Sequence, residues 1–455
     1  MHTLSSSGRP FTRTRTGCLT CREDGYKCDE QRPFCGRCVR LGKSCKGYGL
    51  RLRWQSPTGP RQAGRDPKGP RRRKSPSTAL TRLRPQSPAA LVLPRAMSSG
   101  FPPQQEYLLD HWRTTLASLI TISPTAQNHF HSYITPMISD SPSLRSSICF
   151  MAACHLMVLT NNRSLENTAT RYQTDAASSL WKTIWTEKPL ISLAIIMILQ
   201  ITDRHFLTQS GINHLGGAKA IIDRAEPRIW DCNAGRFLLS VCSYHDAVGS
   251  VVSRTAPSIL ALHGNVPPLE GMRLMLDLKI LWGTIGRISN MCSLDRSLFN
   301  NEGADIEFVL RTIDIDPSRE GNEGHTVHAY KEAAYIYLHK VWHNVGSPHP
   351  GTLRRAEDCL QHLFEVPVSS PLVSAHPWPL WWAASETIDG KLRDRVRKRV
   401  RAMYEERYMP SLERLGQDIE DAWKIKDAER ASAAIDKVNW VQTILAIRQR
   451  SAGRA

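Results

Sequence analysis

The chain has 455 residues, 60 Lys+Arg against 42 Asp+Glu, a formal net charge of +18 and twelve cysteines. That length suits two or three domains rather than one small module. No run reaches the ~18 apolar residues of a membrane span, so no membrane partner is expected.

The charge is unevenly placed. Residues 1–105 hold 22 Lys+Arg and 5 Asp+Glu, whereas the remaining 350 are close to balance. A basic block attracts polyanions by releasing their counterions, which makes nucleic acid the expected partner. Residues 1–12 are rich in Ser, Thr and Gly and read as a disordered arm. Residues 13–53 carry the strongest signal. Cys18, Cys21 and Cys28 follow the spacing C-x2-C-x6-C, and Cys35, Cys38 and Cys45 repeat it after a six-residue connector. Thiolate is a preferred zinc ligand and a zinc site takes four ligands in a tetrahedron. Six cysteines can serve two zinc ions only if two sulfurs bridge both metals. The repeat points to the first cysteine of each half, Cys18 and Cys35. Such a cluster has a net charge of −2, and Lys27, Arg37, Lys43 and Lys46 are near enough in sequence to offset it. Disulfides would imply secretion, yet no apolar signal segment precedes the motif. Each CxxC is expected to open a short helix whose free N–H groups favour thiolate.

From Arg13 through Gly49 the chain resembles the fungal Zn2Cys6 binuclear zinc-cluster transcription factors, including Cys28-Asp29-Glu30 and Pro33 in the connector. The resemblance implies two Zn2+ per chain on the six cysteines, double-stranded DNA as partner, and a first helix that reads a CGG triplet in the major groove. In the family a lysine four residues after the second cysteine makes the base contact. Gly25 stands there in this chain, and Asp24 takes the usual basic place before it. Carboxylates at Glu23 and Asp24 would repel phosphates. The candidate DNA contacts are Arg13, Arg15, Arg22, Lys27, Arg37, Arg40, Lys43 and Lys46, some of which position on phosphate without reading sequence.

Residues 54–105 read as a Pro/Arg-rich linker. Within it Arg71, Arg72, Arg73 and Lys74 form a nuclear-localisation candidate. No apolar heptad follows the cysteines, so no coiled coil is evident, although homodimerisation remains open. From residue 106 to 455 the composition becomes helix-forming and strand signals are few. The fold class is thus a small binuclear cluster module plus a large all-α domain, joined by a disordered basic linker. Ile148–Leu159 and Leu190–Ile201 are apolar all round and read as buried helices. The region resembles the fungal-specific transcription factor regulatory domain through Phe130-His131-Ser132-Tyr133-Ile134, His214-Leu215-Gly216-Gly217-Ala218-Lys219, Ser243-Tyr244-His245-Asp246 and Trp378-Pro379-Leu380.

No catalytic constellation emerges, and the chain reads as no enzyme. Gly211–Lys219 lacks the order of a phosphate loop. His339 and His343 lack the glutamate of H-E-x-x-H. His214, Tyr244, His245 and Asp246 have no nucleophile beside them and read as structural polar groups. Lys391–Arg401 reads as a solvated basic face over a packed stripe. Cys149, Cys154, Cys232, Cys242, Cys292 and Cys359 read as buried free thiols. The expected function is a zinc-dependent, DNA-binding regulator of RNA polymerase II transcription in a fungal nucleus, with transcriptional co-regulators as further partners. The alternative is a zinc-cluster module for protein interaction or nonspecific nucleic-acid binding that has lost CGG reading.

Overall fold

The structure, a computed structural model, describes residues 19–24, 26–29, 35–43, 100–122, 128–183, 188–208, 213–253, 257–259, 273–313 and 321–431, with Thr443 and Ala446. The chain divides into two compact units, Met1–Leu91 and Val92–Ala455. No strand occurs among the described residues.

The first unit contains two short helices, α1 (Leu19–Asp24) and α2 (Gly36–Arg40), each starting directly after the first cysteine of its half-repeat. Four buried cysteines, Cys21, Cys28, Cys35 and Cys38, form its described core. A core of sulfur rather than hydrocarbon fits a module too small to fold on apolar burial alone.

Every described element of the second unit is a helix. Its helices are α3 (Pro103–His111), α4 (Pro142–Leu159), α5 (Glu166–Thr183), α6 (Pro189–Phe206), α7 (His214–Arg224), α8 (Asn233–Ser253), α9 (Arg273–Met291), α10 (Arg296–Thr312), α11 (Asn322–Trp342), α12 (Pro350–Glu365), α13 (Pro377–Ala384), α14 (Gly390–Arg407) and α15 (Pro410–Ala431). Local chemistry sets many of the boundaries. Ser141 Oγ accepts from Leu144 N at 3.2 Å, and Pro142 at the first helical position needs no partner for a missing N–H. Asp389 caps α14 in the same way, accepting from Leu392 N at 2.7 Å.

Helices α4 and α6 are long and apolar enough to cross a membrane. Here 67% and 61% of those windows are buried inside the protein, so they are the central helices of a packed domain. Helix α4 packs on α5 and α6, and α6 touches α7, α8 and α15. Helices α8, α9, α11 and α12 continue the stack. Trp112, Trp282, Trp378, Trp381, Trp382 and Trp423 are among the largest fully buried side chains. Burial of each such side chain stabilises by roughly 1.5–3 kcal/mol or more.

A buried ionic group joins several helices of this core. Glu386, fully buried between α13 and α14, faces Lys340 of α11 and Lys426 of α15. Its Oε1 takes Lys426 Nζ at 2.5 Å and pairs with Lys340 Nζ, while Oε2 accepts from Ser347 N at 2.6 Å. Burial pushes the Glu386 carboxyl up, but the two lysines outweigh that and hold it at about 2. Burial likewise pulls Lys426 down to about 7.

The basic stripe of α14 differs in part from the expected solvated face. Val396, Val400 and Met403 are buried as the packed stripe. Arg393 grips Asp427 of α15 with two bonds of 2.6 and 2.8 Å, and Arg397 reaches Glu420 at 2.6 Å. Several of these cations therefore neutralise acids on the adjacent helix. Among the scattered thiols, Cys149, Cys154, Cys242 and Cys359 are buried as expected, whereas Cys232 and Cys292 are exposed. Both exposed residues lie just outside helices: Cys232 precedes α8, and Cys292 follows α9.

Candidate metal centre and nucleic-acid interface

The sulfurs come together because the two short helices present them at matched positions. Cys21 Sγ is 3.6 Å from Cys35 Sγ and 4.0 Å from Cys38 Sγ. Four thiolates at the usual zinc–sulfur distance of 2.3 Å define tetrahedral edges of about 3.8 Å. A disulfide needs about 2.05 Å, so these contacts suit a shared metal and not a covalent pair. Cys21, Cys35 and Cys38 form one group of converging ligand atoms, and Cys28, Asp29 and Cys35 form another. Cys35 is common to both, as the bridging role suggested by the repeat requires. Cys18 and Cys45 lie outside the described residues.

Asp29 has a separate task. Its Oδ1 accepts from Gly36 N at 2.9 Å and its Oδ2 from Arg37 N at 2.8 Å. Cys35 Sγ accepts from Cys38 N at 3.3 Å. Three free N–H groups at the start of α2 are therefore satisfied by a carboxylate and a sulfur, which favours the thiolate form. The ends of the helices repeat as well as the beginnings. Tyr26 N donates to Cys21 O, and Lys43 N donates to Cys38 O, each at 2.9 Å. Gly42 turns the chain out of α2 at φ +60°, where a side chain would be strained. Gly25 stands at the matching place in the sequence repeat.

The cations around the cluster divide into two sets. Arg37 NH1 lies 3.7 Å from Cys21 Sγ and 3.5 Å from Asp24 Oδ2, with its guanidinium 4.2 Å from the Tyr26 ring centroid. Lys43 Nζ bonds Asp24 Oδ2 at 2.7 Å, and this bond is the main cause holding the Asp24 carboxyl below the usual range. Lys27 and Arg40 are exposed, and no carboxylate among the described residues pairs with them. Arg22 is on α1, its side chain outside the described set; Arg13, Arg15, Lys46 and Arg71–Lys74 are outside it altogether. Asp24, expected from sequence to repel phosphate, is instead paired with Lys43, and nothing in the local pattern marks a contact 19 residues away.

The other singled-out groups have ordinary surroundings. His214 Nε2 lies 3.1 Å from Asp203 Oδ2, and Asp246 Oδ2 accepts from Ile259 N at 2.6 Å. The His339 and His343 rings are 6.0 Å apart.

Comparison with known proteins agrees with this geometry. The fungal Zn(2)-Cys(6) binuclear cluster domain matches residues 16–55. The fungal specific transcription factor domain matches residues 107–293 and 289–450, about three quarters of the chain. The chain belongs to this family. As a member with a binuclear cluster, it takes two zinc ions as cofactors. White-opaque regulator 2 of Candida albicans is 64% identical over 36 residues, 8% of each chain. Arginine metabolism regulation protein II of Saccharomyces cerevisiae is 47% identical over 45 residues, 10% of this chain and 5% of the relative. Transcription factor lfc1 of Flammulina velutipes is 40% identical over 81 residues, 17% of this chain and 25% of its own. The matched stretches thus span a quarter or less of these relatives. Their names describe regulators, which does not favour the alternative of a module for protein interaction or nonspecific nucleic-acid binding. No solved structure matches the chain.

Proposed function

We propose that this protein is a nuclear, zinc-dependent, DNA-binding regulator of RNA polymerase II transcription in a fungus. The observation that carries the reading is Cys35, shared by two groups of converging ligands, beside the exposed cations Lys27 and Arg40. Zinc would be held by Cys21, Cys28, Cys35 and Cys38 together with Cys18 and Cys45, and its role is to supply folding free energy. Lys27 and Arg40 are the cations available to phosphate. Arg37 and Lys43 hold Asp24 and contribute less while they do so. Arg13, Arg15, Arg22 and Lys46 complete the proposed contact set. With glycine at residue 25, the long cationic side chain that donates to guanine is missing. Affinity then comes mainly from phosphate contacts and falls steeply with salt. Residues 71–74 direct nuclear entry, and the helical unit receives transcriptional co-regulators.

The test incubates the zinc-loaded full chain with a random duplex pool and sequences the retained DNA. Enrichment of a motif that disappears after chelation supports the reading. Retention that is independent of zinc, or a pool that stays random, overturns it.

A further inference from the structure

The helical unit contains a half-open cavity of about 500 Å3 bordered by α6, α8 and α15. This is within the ~300–1,000 Å3 range that encloses small organic ligands. Ile122, Phe130, Ile201, Phe237, Val241 and Leu415 supply an apolar wall. The Phe130 and Phe237 rings meet edge to face, with centroids 5.0 Å apart.

The lining carries two arginines and two aspartates, so its formal charge balances, but these groups are not paired one to one. Arg414 Nε donates to Asp418 Oδ1 at 3.2 Å. Asp203 accepts from Thr208 Oγ1 at 2.5 Å and lies 3.1 Å from His214 Nε2. Both cavity carboxylates are therefore engaged. Arg204 NH1 donates to His245 Nδ1 at 3.1 Å, and no carboxylate among the described residues lies within ion-pair distance of Arg204. An Nδ1 that accepts leaves the ring proton on Nε2, so His245 is neutral. Burial first, then the charge of Arg204, keeps it so.

The cavity thus offers one guanidinium whose hydrogen-bond partner is a neutral ring, beside an apolar wall. Any anion there meets Asp203 and Asp418 as well, and a doubly charged phosphate would be repelled by them more than a monocarboxylate while finding the same single cation without an ion-pair partner. An uncharged ligand would leave the guanidinium with a ring nitrogen as its partner. A carboxylate matches the planar fork with two parallel bonds.

We propose that this cavity binds a small monocarboxylate with an alkyl or aryl body, its carboxylate on Arg204 and its body against Phe130 and Phe237. The site is independent of the cluster and adds to the DNA-binding reading a small-molecule input in the helical unit.

The experiment is calorimetric titration of the full chain, near neutral pH, with octanoate, 4-phenylbutyrate and the primary amide of each. Saturable binding of at least one acid is expected, one per chain and about tenfold or more tighter than its amide. Arg204→Gln should remove the difference between acid and amide. Val241→Trp, which fills the cavity, should abolish binding of both. Circular dichroism establishes that the variants fold. Should either fail, the acid–amide comparison on the unaltered chain still decides. The proposal is overturned if neither acid saturates, if the amides bind as tightly as the acids, or if Arg204→Gln keeps the acid preference. Binding at several sites per chain that Val241→Trp leaves intact overturns it as well.

Discussion

Cys35 and Asp24 show how single side chains set the behaviour of the cluster. Cys35 belongs to two groups of converging ligand atoms, one with Cys21 and Cys38 and one with Cys28 and Asp29. Replacing it removes a ligand from both metal positions, whereas replacing Cys38 removes a ligand from one. Metal analysis of the purified full chain should therefore give about two zinc ions for the wild type, near none for Cys35→Ser and about one for Cys38→Ser. Equal zinc content in the two variants would rule out a shared sulfur. Asp24 holds Lys43 and Arg37 in ion pairs. Asp24→Ala releases them toward DNA. The slope of log K against log salt should steepen by about 0.9 for each released cation that reaches a phosphate. Fluorescence anisotropy at several salt concentrations reads that slope. An unchanged slope would mean that neither cation reaches a phosphate once Asp24 is gone.

Glu386 acts at the scale of elements, because it joins α11, the loop at Ser347, and α15 through one carboxylate. Glu386→Gln keeps the shape and removes the charge, leaving Lys340 and Lys426 buried together. A loss of about 3–5 kcal/mol is expected, as for other buried pairs broken on one side. The urea midpoint of the helical signal measures it. A midpoint near the wild-type value would show that water already compensates the lysines. The segment Arg71–Lys74 also acts as an element, by charge and accessibility rather than by fold. Changing all four residues to Ala should move a tagged full chain toward the cytoplasm, as scored by microscopy. A nuclear signal that stays intact assigns the cluster of charges to another role.

The whole helical unit carries a set of histidines that its fold keeps neutral. Burial lowers His111 to about 4, His205 to about 3 and His362 to about 4. An unfolded histidine titrates near 6.5. Between these values the unfolded chain takes up protons that the folded chain refuses. Stability is therefore fully present above about pH 6.5 and is lost as pH falls through that window. Glu386, held at about 2, adds a further loss as pH falls below the ordinary glutamate value. Thermal unfolding followed by far-UV circular dichroism should give a midpoint that declines steadily from about pH 6.5 toward pH 4. A midpoint that stays flat over that interval would show that the histidines are hydrated in the folded protein.

The sequence by itself determined the cofactor, the family and the all-helical class. Zinc ligation by CxxC repeats is a local property: α1 and α2 need only a few residues each to aim their sulfurs, so spacing suffices. The apolar runs at 148–159 and 190–201 likewise announced burial on every side, and α4 and α6 are central. The tertiary structure decided what those helices meet. Helical periodicity identifies a buried face but not the element that covers it. Lys340, Glu386 and Lys426 are tens of residues apart, and Arg204 reaches a histidine 41 residues on. The pairing of Asp24, the buried carboxylate and the unmatched cation of the cavity all depend on such distant contacts. Only packing brings those charges together, and each is visible in sequence merely as an ordinary polar residue.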